Sequence, residues 1–153
     1  MTEAIQWKQV SARDEDLHRL IAMLDHYLQQ IYPPDEIFLL DFSDPHIEDV
    51  TFLVAYLEET PVGCGAFKPL DHESAEIKRV FVDPEYRNRG IASGLIGELE
   101  QSALQQGYKL MRLETGEPQL EAVRLYQKLG YAFIPRYGEY QCCESSICME
   151  KQL

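Results

Sequence analysis

Residues 83–93 read DPEYRNRGIAS. A strand pattern stops at Asp83-Pro84 and a helix pattern opens at Gly90. Ile91, Leu95, Leu99 and Ala103 then recur at intervals of four and mark one apolar stripe of a helix over 90–106, which Gly107 ends. Between strand and helix lie Arg87 and Arg89. Such a turn suits an anion. The first N–H groups of a helix have no internal partner and point outward, and the helix dipole adds about half a positive charge there. Gly90 lets the backbone approach a ligand, Ala92 keeps the next turn small, and the two arginines offer charge-assisted bonds. The same residues also suit an ordinary strand-to-helix connection with solvated arginines. Neither G-x-x-x-x-G-K-[ST] nor G-x-G-x-x-G occurs, so a P-loop or a dinucleotide fingerprint does not account for the loop.

Working outward, strand and helix patterns alternate, as in α/β or α+β domains. Residues 4–10 read as a strand. Ser11 precedes a helix as its cap, with Asp14 three residues on as a capping-box variant. Leu17, Leu20, Ile21, Leu24, Leu28 and Ile31 form its apolar stripe, and Pro33-Pro34 stops it. Residues 35–49 are acidic and irregular, with room for one short helix. Residues 50–58 and 62–69 read as a hairpin around Glu59-Thr60-Pro61, and 74–82 as a long strand. Residues 108–115 alternate as a strand. Pro118 suits the start of a helix carrying Ala122, Leu125, Tyr126 and Leu129, which Gly130 ends. Residues 131–136 and 145–151 are two final strands.

The chain has 153 residues, 45% hydrophobic and 26% charged, the size and composition of one globular domain. Its formal net charge of −12 disfavours nucleic acid and anionic lipid. It mildly favours cationic substrates and equally serves solubility. No run approaches the roughly 20 apolar residues of a membrane helix. Residues 1–10 lack a basic stretch followed by an apolar core, so a soluble, cytoplasmic protein is expected. Cys64, Cys142, Cys143 and Cys148 form no C-x-x-C pair and the histidines are scattered, so reduced thiols and no metal site are expected.

Arg87-x-x-Gly90-x-Ala92 resembles the pyrophosphate loop of the GNAT superfamily of N-acetyltransferases, whose pattern is Q/R-x-x-G-x-G/A. Around it, AEIKRVFVDPEYRNRGIASGLI resembles the family's strand–loop–helix segment. LETGEPQLEAVRLYQKLGYAFI resembles its later strand–helix–strand segment. YGEYQCCESSICMEKQL is similar to the ending of a small bacterial subgroup. The similarity runs from about Pro61 to the C-terminus, while residues 1–60 fit in element order alone. The resemblance implies a single domain over 1–153 of mixed α/β (α+β) class. Its mostly antiparallel sheet of about seven strands would be splayed where strands 74–82 and 108–115 part, with helices on both faces.

The resemblance also implies an activity: acetyl-CoA-dependent N-acetylation of a primary amine on a small molecule or amino acid, by direct attack in a ternary complex. A protein or peptide acceptor, or a non-catalytic acyl-CoA-binding module, are the alternatives. By the same resemblance the pyrophosphate lies on Arg87, Asn88, Arg89, Gly90, Ile91, Ala92 and Ser93, and the pantetheine along Val80, Phe81 and Val82. The Val80 N–H faces the thioester oxygen, although a strand residue also spends its N–H in a ladder. Glu76 is the expected general base, although a surface pair with Lys78 on the same face explains it too. Tyr126 is the expected acid for the leaving thiolate, although a tyrosine on an apolar helix face also serves as core. Gln119 stands where many family members carry a cofactor-binding Asn, and it has the same bond types with longer reach. Homodimers are common in the family.

Overall fold

The structure, a computed structural model, describes residues 4–153. Its elements are β1 (Ile5–Val10), α1 (Glu15–Ile31), β2 (Thr51–Leu57), β3 (Thr60–Pro69), β4 (Ser74–Val82), α2 (Ile91–Gln105), β5 (Leu110–Gly116), α3 (Leu120–Lys128), β6 (Ala132–Ile134) and β7 (Ser146–Gln152). The strands form one sheet in the order β1-β2-β3-β4-β5-β7-β6. All pairings are antiparallel except β4 with β5. This is the open, mostly antiparallel α/β sheet implied by the resemblance, and no described helix is long and apolar enough to cross a membrane.

Both faces of the sheet are covered, which is why β2 is buried at six consecutive positions rather than alternately. Phe52 and Val54 face α1, where they pack with Leu17, Leu20, Ile21 and Leu24. Leu53 and Ala55 face α2 and join Ile91, Leu95, Leu99 and Ala103. Removing a fully buried Leu or Phe from either layer costs roughly 2–5 kcal/mol. Helix α2 lies so close to β1 that a Cβ at Gly94 would stand 2.3 Å from the Trp7 ring.

The sheet opens in its middle. β4 and β5 pair only through Ser74–Ile77 against Leu110–Leu113. Beyond Ile77 the register of β4 on β3 jumps from Ala66↔Lys78 to Cys64↔Phe81, so that Arg79 and Val80 together stand across from the single residue Gly65. Arg79 sits in the left-handed region at φ 56, the signature of a bulge. Meanwhile β5 stays paired to β7 as far as Gly116↔Ser146. The two strands therefore diverge, and the gap becomes a cleft.

Four local expectations change. Asp14, not Ser11, caps α1: its Oδ1 accepts from Leu17 N at 3.0 Å, while Ser11 Oγ accepts from Arg13 N. Residues 35–49 hold two short 3-10 turns, Pro34–Glu36 and Pro45–Asp49, each opened by proline. Pro118 lies in a 3-10 turn ahead of α3 rather than within it. β6 is cut to three residues, because Pro135 has no N–H to continue a ladder.

Candidate active site

Gly90 decides how the cleft is floored. It caps α2 at φ +78, a conformation that side chains rarely adopt, and it makes no side-chain cap hydrogen bond to the first N–H groups of the helix. Those donors open into a cleft of about 830 Å³. Val80, Phe81 and Val82 from β4 line it, with Arg87, Asn88, Gly90, Ile91, Ala92 and Ser93 from the loop and α2, and Gln119 and Tyr126 from the α3 side. Arg89, the remaining member of the expected set, lies over the Tyr86 ring at 5.4 Å. The Arg87 side chain ties the loop to the end of β4, its Nε donating to Val82 O at 3.3 Å. Uncapped donors, a glycine turn and apolar walls fit an elongated thioester donor bearing phosphates.

A second space of about 120 Å³ adjoins the cleft. The two share Leu24, Val80, Gln119, Ala122 and Tyr126 in their linings. Glu114, on β5 just beyond the last β4–β5 pair, lines the smaller cavity. Burial pushes its pKa up to about 7, against the opposing pull of the Ser146 hydroxyl, which donates to Oε2 at 2.7 Å, and of Lys78. Tyr126 faces both spaces. Burial first, and then the Glu114 charge, push its phenol up to about 12.

Glu76 is placed differently. Its carboxylate is 2% exposed and lines neither space. It accepts from Tyr137 Oη at 2.6 Å, and its Oε1 lies 3.7 Å from both Lys68 Nζ and Lys78 Nζ. The structure thus brings Val80, Tyr126, Gln119 and the loop residues to one cleft and leaves Glu76 behind a tyrosine and two lysines.

The remaining cavity walls come from distant segments. Lys78 Nζ donates to Tyr140 Oη at 2.5 Å, and burial lowers its pKa. The Arg79 guanidinium meets Asp25 at 3.2 Å and also donates to Phe38 O. Tyr32 Oη donates to Gln119 Oε1 at 2.9 Å, joining the end of α1 to the start of α3 across the opening. Glu114 escaped the sequence reading, yet one signal was present: a carboxylate between Leu113 and Thr115 in a strand covered on both faces needs a polar space of its own.

Comparison with known proteins agrees with this architecture. Residues 14–131 match the acetyltransferase (GNAT) family. The chain is 39% identical over 137 residues to an IAA acetyltransferase of Azospirillum brasilense, covering 88% of this chain and 89% of that one. A solved structure described as an acyl-CoA N-acyltransferase of Klebsiella pneumoniae superposes with a TM-score of 0.84 at 30% identity, covering 99% of each chain. A GNAT acetyltransferase of Elizabethkingia anophelis, solved with acetyl-CoA bound, shares the fold at a TM-score of 0.73 and 21% identity, over 97% of this chain and 98% of that one. The chain belongs to the GNAT family of acetyltransferases.

Proposed function

We propose that this acetyltransferase moves the acetyl group of acetyl-CoA to the primary amine of a small molecule, with both substrates bound together. The observation that carries the reading is the meeting of two spaces at Val80 and Tyr126: a long cleft over the α2 N-terminus and a small cavity holding Glu114. In this reading the donor's phosphates take the unpaired N–H groups of the Gly90–Ser93 turn. Its thioester reaches the junction of the two spaces, and the amine enters from the Glu114 side.

An ammonium has no lone pair and cannot attack. Glu114 titrates near neutrality and removes the proton with a well-matched pKa. The amine nitrogen then bonds to the acetyl carbon, and negative charge gathers on the carbonyl oxygen. We assign the N–H of Val80, where the β4 ladder is interrupted, to that oxygen. The C–S bond breaks, and the Tyr126 phenol donates its proton to the departing sulfur. A phenol held protonated up to about pH 12 is fully in the donor form. Glu76, the base expected from the resemblance, is less well supported than Glu114 because its carboxylate is engaged elsewhere.

The test is thiol release from acetyl-CoA across a panel of amines, with thermal unfolding in parallel. Acetyl-CoA should raise the melting temperature by mass action. Glu114→Gln should lower kcat by roughly 10²–10⁴-fold, and Glu76→Gln should lower it far less. The reverse ranking returns the base to Glu76. Strong stabilisation by acetyl-CoA with no turnover of any amine makes the protein a binding module instead.

A further inference from the structure

The cavity beside Tyr126 contains opposite charges that do not pair with each other. Lys78 of β4 and Glu114 of β5 both line it. Each is instead held by a neighbour outside the pair. Ser146 Oγ stands 2.7 Å from Glu114 Oε2, and Tyr140 Oη stands 2.5 Å from Lys78 Nζ. Glu76 Oε1 lies 3.7 Å from Lys78, an ion-pair separation beyond hydrogen-bond length. A lysine ammonium has three N–H donors. Among the described residues one hydrogen-bond acceptor, Tyr140 Oη, is in place; the side chain is just 9% exposed and borders both this cavity and a separate space beside Lys68 and Glu139. The neighbouring Arg79, 6% exposed, lines the same cavity and keeps its Nε–H without a partner. Unspent donors on buried charges are costly unless a ligand accepts from them.

The geometry points to an acceptor that carries both charges itself: a compact amino acid, its carboxylate taken by the free Lys78 donors and its amine turned to Glu114. This inference rests on the acetyl-transfer reading above and names its substrate class. The cavity volume of about 120 Å³ suits a compact ligand, since one water needs only about 10–15 Å³ on such a measure. Glu36, half-buried, is the other carboxylate in the lining. Two anions with one lysine and one Asp25-tied arginine would reject a dianion yet leave Lys78 for a single carboxylate. A site whose buried donors expect an acceptor discriminates strongly against an analogue that lacks it.

The experiment compares matched acceptors at saturating acetyl-CoA. Small amino acids are assayed against their decarboxylated amines and their carboxamides, with thiol release as the readout. The expected result is at least tenfold higher kcat/KM for the amino acids in the wild type. In Lys78→Met that ratio should fall towards one through a raised KM, and Lys78→Arg should recover part of it. Stabilisation by acetyl-CoA checks that each variant is folded, and the wild-type ratio decides the question even where a variant is not. Amines or carboxamides turned over as well as the amino acids overturn the inference and leave acetyl transfer standing. Thiol release with neither set, while acetyl-CoA still stabilises the protein, overturns the transfer reading and this inference with it.

Discussion

The cleft and the cavity meet at Tyr126 but are built in opposite ways. The cleft presents the backbone N–H groups of the α2 N-terminus and is lined mainly by two stretches of the chain, 80–93 and 117–128, with Leu24 and Tyr27 of α1. The cavity is lined from α1, the segment 36–38, β4, β5, α3 and the turn at Gly138–Cys142. A backbone site recognises what all its ligands share, here phosphate and a thioester arm. A side-chain site recognises what differs between them. The comparison therefore separates general donor binding from acceptor choice.

The sharpest way to break it is Glu114→Gln. Turnover should fall about 10²–10⁴-fold, while stabilisation by acetyl-CoA stays intact because the carboxylate belongs to the other space. In the wild type, kcat/KM should rise with pH and level off above about 7, as Glu114 loses its proton. A flat profile would remove Glu114 from the chemistry.

The same substitution has a stability signature. The folded pKa of about 7 lies above the ordinary value of 4.5. Stability from the protonated carboxyl is thus fully present below about pH 4.5 and is lost as pH rises through 7. Glu114→Gln, which cannot ionise, should be more stable than wild type at pH 8, by at most about 3 kcal/mol. At pH 4 the advantage should vanish, as urea midpoints at the two pH values would show.

Gly90→Val tests the backbone site in turn. A β-branched residue at φ +78 costs about 1–3 kcal/mol, and calorimetric titration should find acetyl-CoA binding weakened well beyond that of Glu114→Gln. Equal losses from both variants would mean that the two spaces are not separable. The smallest effect is expected from Gly116→Ala. Its Cβ would stand 2.1 Å from the Tyr32 hydroxyl, so the tip of that ring must swing off Gln119. A stability change within about 1 kcal/mol, with an altered KM for the amine and an unchanged one for acetyl-CoA, would locate Tyr32 on the acceptor side.

The same contrast explains what could be read in advance. The loop at Arg87–Ala92 was legible because a strand end, a glycine and a helix start are neighbours in the chain. The stripes of α1 and α2 were legible because helical period repeats locally. Glu114 was not, because its role comes from the divergence of β4 and β5, which follows from the bulge at Arg79–Val80. Glu76 and Lys78 looked alike as exposed strand charges, since nothing nearby announces that Tyr137 and Tyr140 will cover them from about 60 residues away. Asp14 and Ser11 are both good caps, and only the backbone path chooses between them.

The opening that makes the cleft also thins the sheet to a seam. Four register pairs join the β1–β4 meander to the β5-β7-β6 unit. On the α2 side, Glu100 acts as a rivet across it, accepting from Tyr131 Oη at 2.8 Å and from Lys151 Nζ at 3.0 and 3.1 Å. The protein should accordingly behave as two cooperative units in amide hydrogen exchange. β2 and β3, laced by hairpins, would exchange at the slowest, global rate. β5 and β7 would open together at a lower free energy, and faster still once the rivet is removed in Glu100→Gln.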